Sequence, residues 1–99
     1  MEFVVEFEIE VPAGTPHEEV EQRQRAESAA ASNLAEDGHL VRLWRMSAGG
    51  DGATAIGLYR ASSEAELDGL LAALPLADWL RVTVTPLEAH PNDPAEASR

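Results

Sequence analysis

The chain has no cysteine among its 99 residues. Disulfide scaffolds and thiol chemistry are therefore excluded, and the redox character of its compartment is left open. Positive charge is scarce: 7 Lys and Arg stand against 18 Asp and Glu, for a net charge of −11. Phosphate backbones and anionic headgroups repel such a chain, so no nucleic acid and no membrane is expected as a partner. Long apolar runs are missing too, and nothing approaches the ~20 residues that span a bilayer. The N-terminus MEFVVEFEIEV alternates and lacks the basic and apolar regions of a signal peptide. A cytoplasmic protein is the expectation. The sequence also lacks a P-loop, a G-x-G-x-x-G, a G-x-S-x-G, an H-x-x-x-H and a C-x-x-C, and its three histidines show no metal-ligand spacing.

What is present has an ordinary globular balance, 44% hydrophobic and 25% charged. The length suits one modest core. Residues 1–90 are expected to form a single domain and 91–99, PNDPAEASR, a polar tail.

Residues 2–11 alternate, with Phe3, Val5, Phe7, Ile9 and Val11 on one face, which predicts a strand buried on one side. Pro12 to Gly14 end it. Thr15, Pro16 and Glu18 form the pattern of a capping box, T-P-H-E, opening a helix that runs to about Asp37 with Gly38 as its C′ residue. A strand at 39–46 follows, then the loop SAGGDGA, and a strand TAIGLYRA weakened by Gly57. Ser63 and Glu66 suggest a second capping box, for a helix with Leu67, Leu70, Leu71 and Leu74 on one stripe. Pro75 stops it, and WLRVTVTPLE is the last strand. The order β-α-β-β-α-β implies an α+β, ferredoxin-like chain: a four-stranded antiparallel sheet with both helices on one face. The other face would be solvated or covered by a second copy.

The first helix holds the most informative residue. Its apolar stripe contains Val20, Ala31 and Leu34, and at about 100° per residue Glu27 falls near the middle of that stripe. A carboxylate turned inward must be paired or shifted in pKa. Glu27 is therefore either half of an ion pair with a sheet arginine or a general base in an apolar pocket, with Ala26, Ala29, Ala30 and Ala31 leaving room for a ligand. His17 and His39 read as surface or loop residues, and His90, after the last strand, as a candidate for a pocket edge.

The strand HLVRLWR poses a geometric question. Strict alternation puts Leu40, Arg42 and Trp44 on one face and Val41, Leu43 and Arg45 on the other. On that reading Arg42 and Trp44 line the helix-side pocket beside Glu27, while Arg45 points to the inter-sheet face near Glu6 or Glu8. A bulge would change the outcome.

MEFVVEFEIEVP, the inward Glu27, GHLVRLWR, LPL at Leu74 to Leu76, and VTPLEAHP together resemble the muconolactone Δ-isomerases, over Met1 to Pro91. The resemblance implies a dimeric α/β barrel and a cofactor-free enzyme of aromatic catabolism, which shifts a proton across the allylic system of a small unsaturated lactone acid. It implies catalytic roles for Glu27 and Arg45 and substrate contacts from Trp44 and His90; geometry adds Arg42. The chain departs from the family pattern at Val4 and Glu6, where a histidine and a lysine are usual, at Arg42, in ADWL after LPL, and at Ala89. These departures imply a more apolar, rebuilt pocket and a larger or less charged substrate, so the expected reaction is proton transfer on a small unsaturated lactone or ketone. Alternatives to the isomerase are a polyketide-type cyclase or tailoring enzyme on the same fold, and a non-catalytic binding or assembly module.

Overall fold

The structure is a computed structural model that describes residues 1–46 and 54–97. The glycine-rich loop expected around Gly49 to Gly52 lies outside the described residues. Four strands, β1 (Glu2–Ile9), β2 (Leu40–Arg45), β3 (Thr54–Arg60) and β4 (Leu80–Leu87), form one antiparallel sheet in the order β2-β3-β1-β4. The main helices are α1 (His17–Glu36) and α2 (Glu64–Ala72), and a short helix α3 (Pro94–Ala97) lies in the tail. This is the expected ferredoxin-like α+β arrangement.

β1 is central because it pairs with both β3 and β4. Its alternation explains the sidedness of the sheet. Phe3 and Val5 are wholly buried and Phe7 nearly so, and with Tyr59, Leu67, Leu71 and Leu74 they form the core beneath the helices. Val4, Glu6 and Glu8 alternate onto the opposite face, opposite Leu58, Ile56 and Thr54 of β3. Neither α1 nor α2 covers that face.

The helix ends separate the sequence signals that act from those that do not. Gly38 takes φ +82°. The N–H of His39 donates to the Leu34 carbonyl at 2.9 Å and that of Gly38 to Ala35 at 3.1 Å, a Schellman closure of α1. At the other end the expected Thr15 cap does not form. The Thr15 hydroxyl donates to the Pro12 carbonyl at 2.6 Å, closing the preceding turn, and α1 starts one residue after Pro16 with no side-chain cap. In α2, Ser63 does cap the N–H of Glu66 at 3.0 Å, but the Glu66 carboxylate accepts from Ser62 and not from Ser63. Trp79 belongs to a 3-10 turn (Ala77–Trp79) and not to the last strand.

The alternation expected along β2 is corrected. A bulge lies between Leu40 and Arg42, so that these two residues face the consecutive residues Tyr59 and Leu58 of β3. Val41 absorbs the extra residue, and Leu40 returns to the face of Leu43 and Arg45. Leu43 faces Gly57 and Arg45 faces Ala55, positions on the helix side of the sheet, since Ala55 in turn faces Phe7. Arg42 and Trp44 face Leu58 and Ile56 and stand on the open side. The two arginines are separated as expected, but on exchanged faces.

Candidate active site

A cavity of about 410 Å³ lies between α1 and one end of the sheet. Phe7 and Ile9 of β1, Leu80 of β4 and Ala55 of β3 give it an apolar floor, α1 presents Glu27, Ser28, Ala31 and Leu34, and the segment after α2 closes it with Leu74 and Leu76. Its size and its few convergent polar groups suit one small organic ligand. Leu43 and Arg45 border it from β2, an edge strand, and both remain well exposed because the cavity opens there.

Glu27 is its acidic group. Half-buried, it accepts a hydrogen bond at 3.0 Å from the backbone N–H of Leu76, 49 residues away in sequence. Burial pushes its pKa above the ordinary glutamate value, and the Leu76 hydrogen bond opposes that shift only in part. No arginine or histidine forms an ion pair with it among the described residues. The ion-pair alternative for this carboxylate therefore finds no partner, and the reading as a base in an apolar pocket keeps its geometric support.

The Leu76 amide is itself held. Arg23, one turn before Glu27 on the same face of α1, donates to the Pro75 carbonyl at 3.3 Å and to Asp78 Oδ1 at 2.6 Å, and its guanidinium lies 4.2 Å from the centroid of the buried Trp79 ring. The inward face of α1 thus carries Arg23 as well as Glu27. Both bind the L-P-L-A-D-W segment, the first as a strap and the second as an acceptor. Of the alanines expected to make room, Ala31 lines the cavity, whereas Ala26 and Ala29 are exposed on the outside of the helix.

The structure brings Glu27 and Arg45 to one cavity and sets Arg42 apart. Trp44 also borders the cavity, but it faces Ile56 on the open side, where the Arg42 guanidinium lies 4.9 Å from its ring centroid. The expected pairing of Arg45 with Glu6 or Glu8 is absent: Glu8 pairs with Arg81 at 3.6 Å. His90 stands apart from the cavity within its own chain. β4 aligns Leu80 with Ile9 at the cavity end and Leu87 with Glu2 at the far end, and His90 follows Leu87 there. Its Nδ1 accepts from the Asn92 N–H at 3.0 Å. His17 pairs with Glu21 on the surface, and the His39 ring donates to the Arg60 carbonyl at 2.8 Å. No cluster of three metal-ligating side chains occurs among the described residues.

One cavity residue escapes a reading of the sequence. Tyr59 is 3% exposed and its ring lies over Gly57, tilted against Phe7 with centroids 6.0 Å apart. A Cβ on Gly57 would stand 2.5 Å from Tyr59 Cε1. Gly57, which weakens the strand on propensity, is thus the space into which that ring fits. The signal was the spacing G-x-Y on one strand face.

Sheet and cavity together define a ferredoxin-like domain with a single carboxylate aimed into a small apolar pocket. The muconolactone delta-isomerase family model matches residues 1–93. The chain belongs to the muconolactone Δ-isomerase family. It is 32% identical over 92 residues to muconolactone Delta-isomerase 1 of Acinetobacter lwoffii, with 93% of each chain covered. It is 29% identical to the muconolactone Delta-isomerase of Cupriavidus pinatubonensis, over 93% of this chain and 97% of that one. Among solved structures it superposes on a muconolactone isomerase with a TM-score of 0.80 at 26% identity, again over 93% of each chain. Membership of the family supports an isomerase-type function. No helix among the described residues is long and apolar enough to cross a membrane.

Proposed function

We propose that this protein is a cofactor-free isomerase that moves a proton along the allylic system of a small unsaturated lactone acid, with Glu27 as base. The observation that carries the proposal is a carboxylate facing an apolar cavity, held by one backbone N–H, without a cationic partner among the described residues. Burial raises the pKa of such a group above the ordinary carboxylate value and so makes its ionised form a stronger base, which suits proton abstraction from carbon. Glu27 takes the proton from one end of the allylic system, the double bond migrates, and the lactone carbonyl oxygen carries the developing negative charge. The protonated Glu27 then returns the proton at the other end, so no atoms or electrons are gained or lost. Arg45, at the cavity mouth, is the anion-holding group for the substrate carboxylate.

Three of the departures from the family pattern lie away from the cavity, while Leu80 of the ADWL segment lines it and makes it more apolar. Val4, Glu6 and Arg42 all stand on the open face, so changes there leave the lining between α1 and the sheet unaltered. That open face, with Val4, Ile56, Leu58 and Trp44 side by side, is proposed to pack against a second copy of the chain. Trp44, 44% exposed in the single chain, would be its central anchor.

Proton NMR of muconolactone in heavy water tests the reading. Double-bond migration is expected from the native protein and not from Glu27→Gln, with deuterium entering the ring to the extent that protonated Glu27 exchanges with solvent before it returns its proton. Exchange of an enolisable ketone without migration in the lactone would favour the cyclase instead. Equal activity in both proteins would remove Glu27 from the mechanism.

A further inference from the structure

Resting on the isomerase reading, we infer that Tyr59 is the hydrogen-bond donor to the lactone carbonyl oxygen, held over the glycine gap at Gly57 so that its hydroxyl meets the ligand inside the Glu27 cavity. Three observations converge on it. Tyr59 and Glu27 line the same cavity, one from the sheet and one from the helix above it. The phenol ring leans along β3 from position 59 over Gly57, towards Ala55 and Phe7, which is the cavity end of the strand. Among the described residues the phenol oxygen has no hydrogen-bond partner, and it is not one of the sealed, unsatisfied atoms, of which there are none. A hydroxyl on a nearly buried ring that lines a cavity, without a partner among the described residues, is available to a ligand.

Its chemistry complements the base. A carboxylate removing a proton from carbon needs a donor where the enolate oxygen develops, on the far side of the ring from the carbon being deprotonated. Arg45 at the mouth is placed for the substrate's carboxylate. Ser28 and Thr54 also line the cavity, but Ser28 is exposed on α1 and Thr54 is the first residue of β3. The nearly buried Tyr59 stands over the apolar floor, so the phenol is the donor assigned to the carbonyl. Burial first, and the nearby Glu27 charge second, push the Tyr59 pKa up to about 12. The hydroxyl therefore keeps its proton until the pH approaches about 12. The short ring-to-backbone approach at Gly57 fixes where that proton sits, since any side chain there would displace the ring.

The probe is the saturated lactone acid obtained by reducing the ring double bond of muconolactone, which can bind but cannot isomerise. Infrared spectra of the bound probe are compared for the native protein, Tyr59→Phe, Gly57→Ala and Glu27→Gln. Expected are a carbonyl stretch displaced to lower frequency in the native protein and in Glu27→Gln, and loss of that displacement in Tyr59→Phe with about fivefold weaker binding. Turnover of muconolactone by Tyr59→Phe should fall about a hundredfold, mostly in kcat. Gly57→Ala, with the hydroxyl retained and the ring displaced, should lose the carbonyl displacement as well. A carbonyl band identical in the native protein and Tyr59→Phe overturns the inference while leaving Glu27 and the isomerase intact. Failure of the native protein to bind the lactone at all overturns the lactone reading, and the role of Tyr59 falls with it.

Discussion

The backbone N–H of Leu76 and the carboxylate of Glu27 meet at 3.0 Å where the segment after α2 closes the helix-to-sheet gap. One bond thereby does two things. It ties the segment after α2 to α1, and it steadies a carboxylate that has no cationic partner among the described residues. The two roles separate by substitution. Glu27→Gln keeps an acceptor oxygen for Leu76 and removes the cost of burying a charge, so its stability at neutral pH should equal or exceed that of the native protein. Glu27→Ala leaves the N–H of a buried residue unpaired and should cost about 1–3 kcal/mol in chemical denaturation. Both should lose roughly a hundred- to ten-thousandfold in turnover. A Gln variant that is destabilised as much as the Ala variant would refute this division.

How far the sequence reached can be judged at β2. The period of two along β1 and the leucine stripe of α2 were legible because each is a repeated burial signal, and the element order β-α-β-β-α-β was read from such signals. Glu27 was legible for the same reason, as the residue that breaks an apolar stripe. The faces of Arg42, Trp44 and Arg45 were not, because a bulge at Val41 leaves no compositional mark, yet one extra residue there exchanges the faces of everything relative to Leu40. Arg23 was passed over because a lone arginine on a helix reads as solvated. Its partners Pro75, Asp78 and Trp79 lie more than fifty residues away. The T-P-H-E box failed because the Thr15 hydroxyl had a nearer acceptor in Pro12.

The raised pKa of Glu27 gives two pH effects of opposite benefit. Activity requires the ionised base, so kcat/KM should fall on the acid side around a midpoint above the ordinary glutamate value of 4.5. Stability moves the other way. The folded protein holds this proton more tightly than the unfolded chain, so the Glu27 contribution is greatest below 4.5 and is lost as the pH rises through the folded value. Comparing the native protein with Glu27→Gln across that window isolates the term. An acid limb at or below 4.5 would show that the carboxylate is solvated.

Arg23 offers a test of the strap. Arg23→Met keeps aliphatic contact with Trp79 but removes the bonds to Pro75 and Asp78. Since Asp78 is largely exposed, the loss in stability should stay near or below about 1 kcal/mol. Turnover should nevertheless fall several-fold, because the Leu76 amide is no longer fixed over Glu27. Unchanged turnover would mean that the segment is held without it.

The two faces of β2 should respond to different assays. Arg45→Met is expected to raise KM for a lactone acid about tenfold or more and to leave association of the chain unaffected, since Arg45 borders the cavity. Trp44→Glu, on the open face opposite Ile56, is expected to shift sedimentation towards the single chain by weakening self-association at least tenfold. A reversal of these two outcomes would return Arg45 to the inter-sheet face.

Tyr59 is the chain's only tyrosine, which makes its ionisation directly visible. The phenolate absorbance of the folded protein should rise in a single step near pH 12, because burial disfavours the anion and the Glu27 charge adds to the effect. In denaturant the step should return to about 10, the ordinary value for the phenol. Folding stability should accordingly fall as the pH rises from 10 through 12, since the unfolded chain loses this proton first. Glu27→Gln should move the folded midpoint downward by removing the smaller, Coulombic part, while Tyr59→Phe should abolish the step. A folded midpoint near 10 would place the hydroxyl in bulk water and outside the cavity.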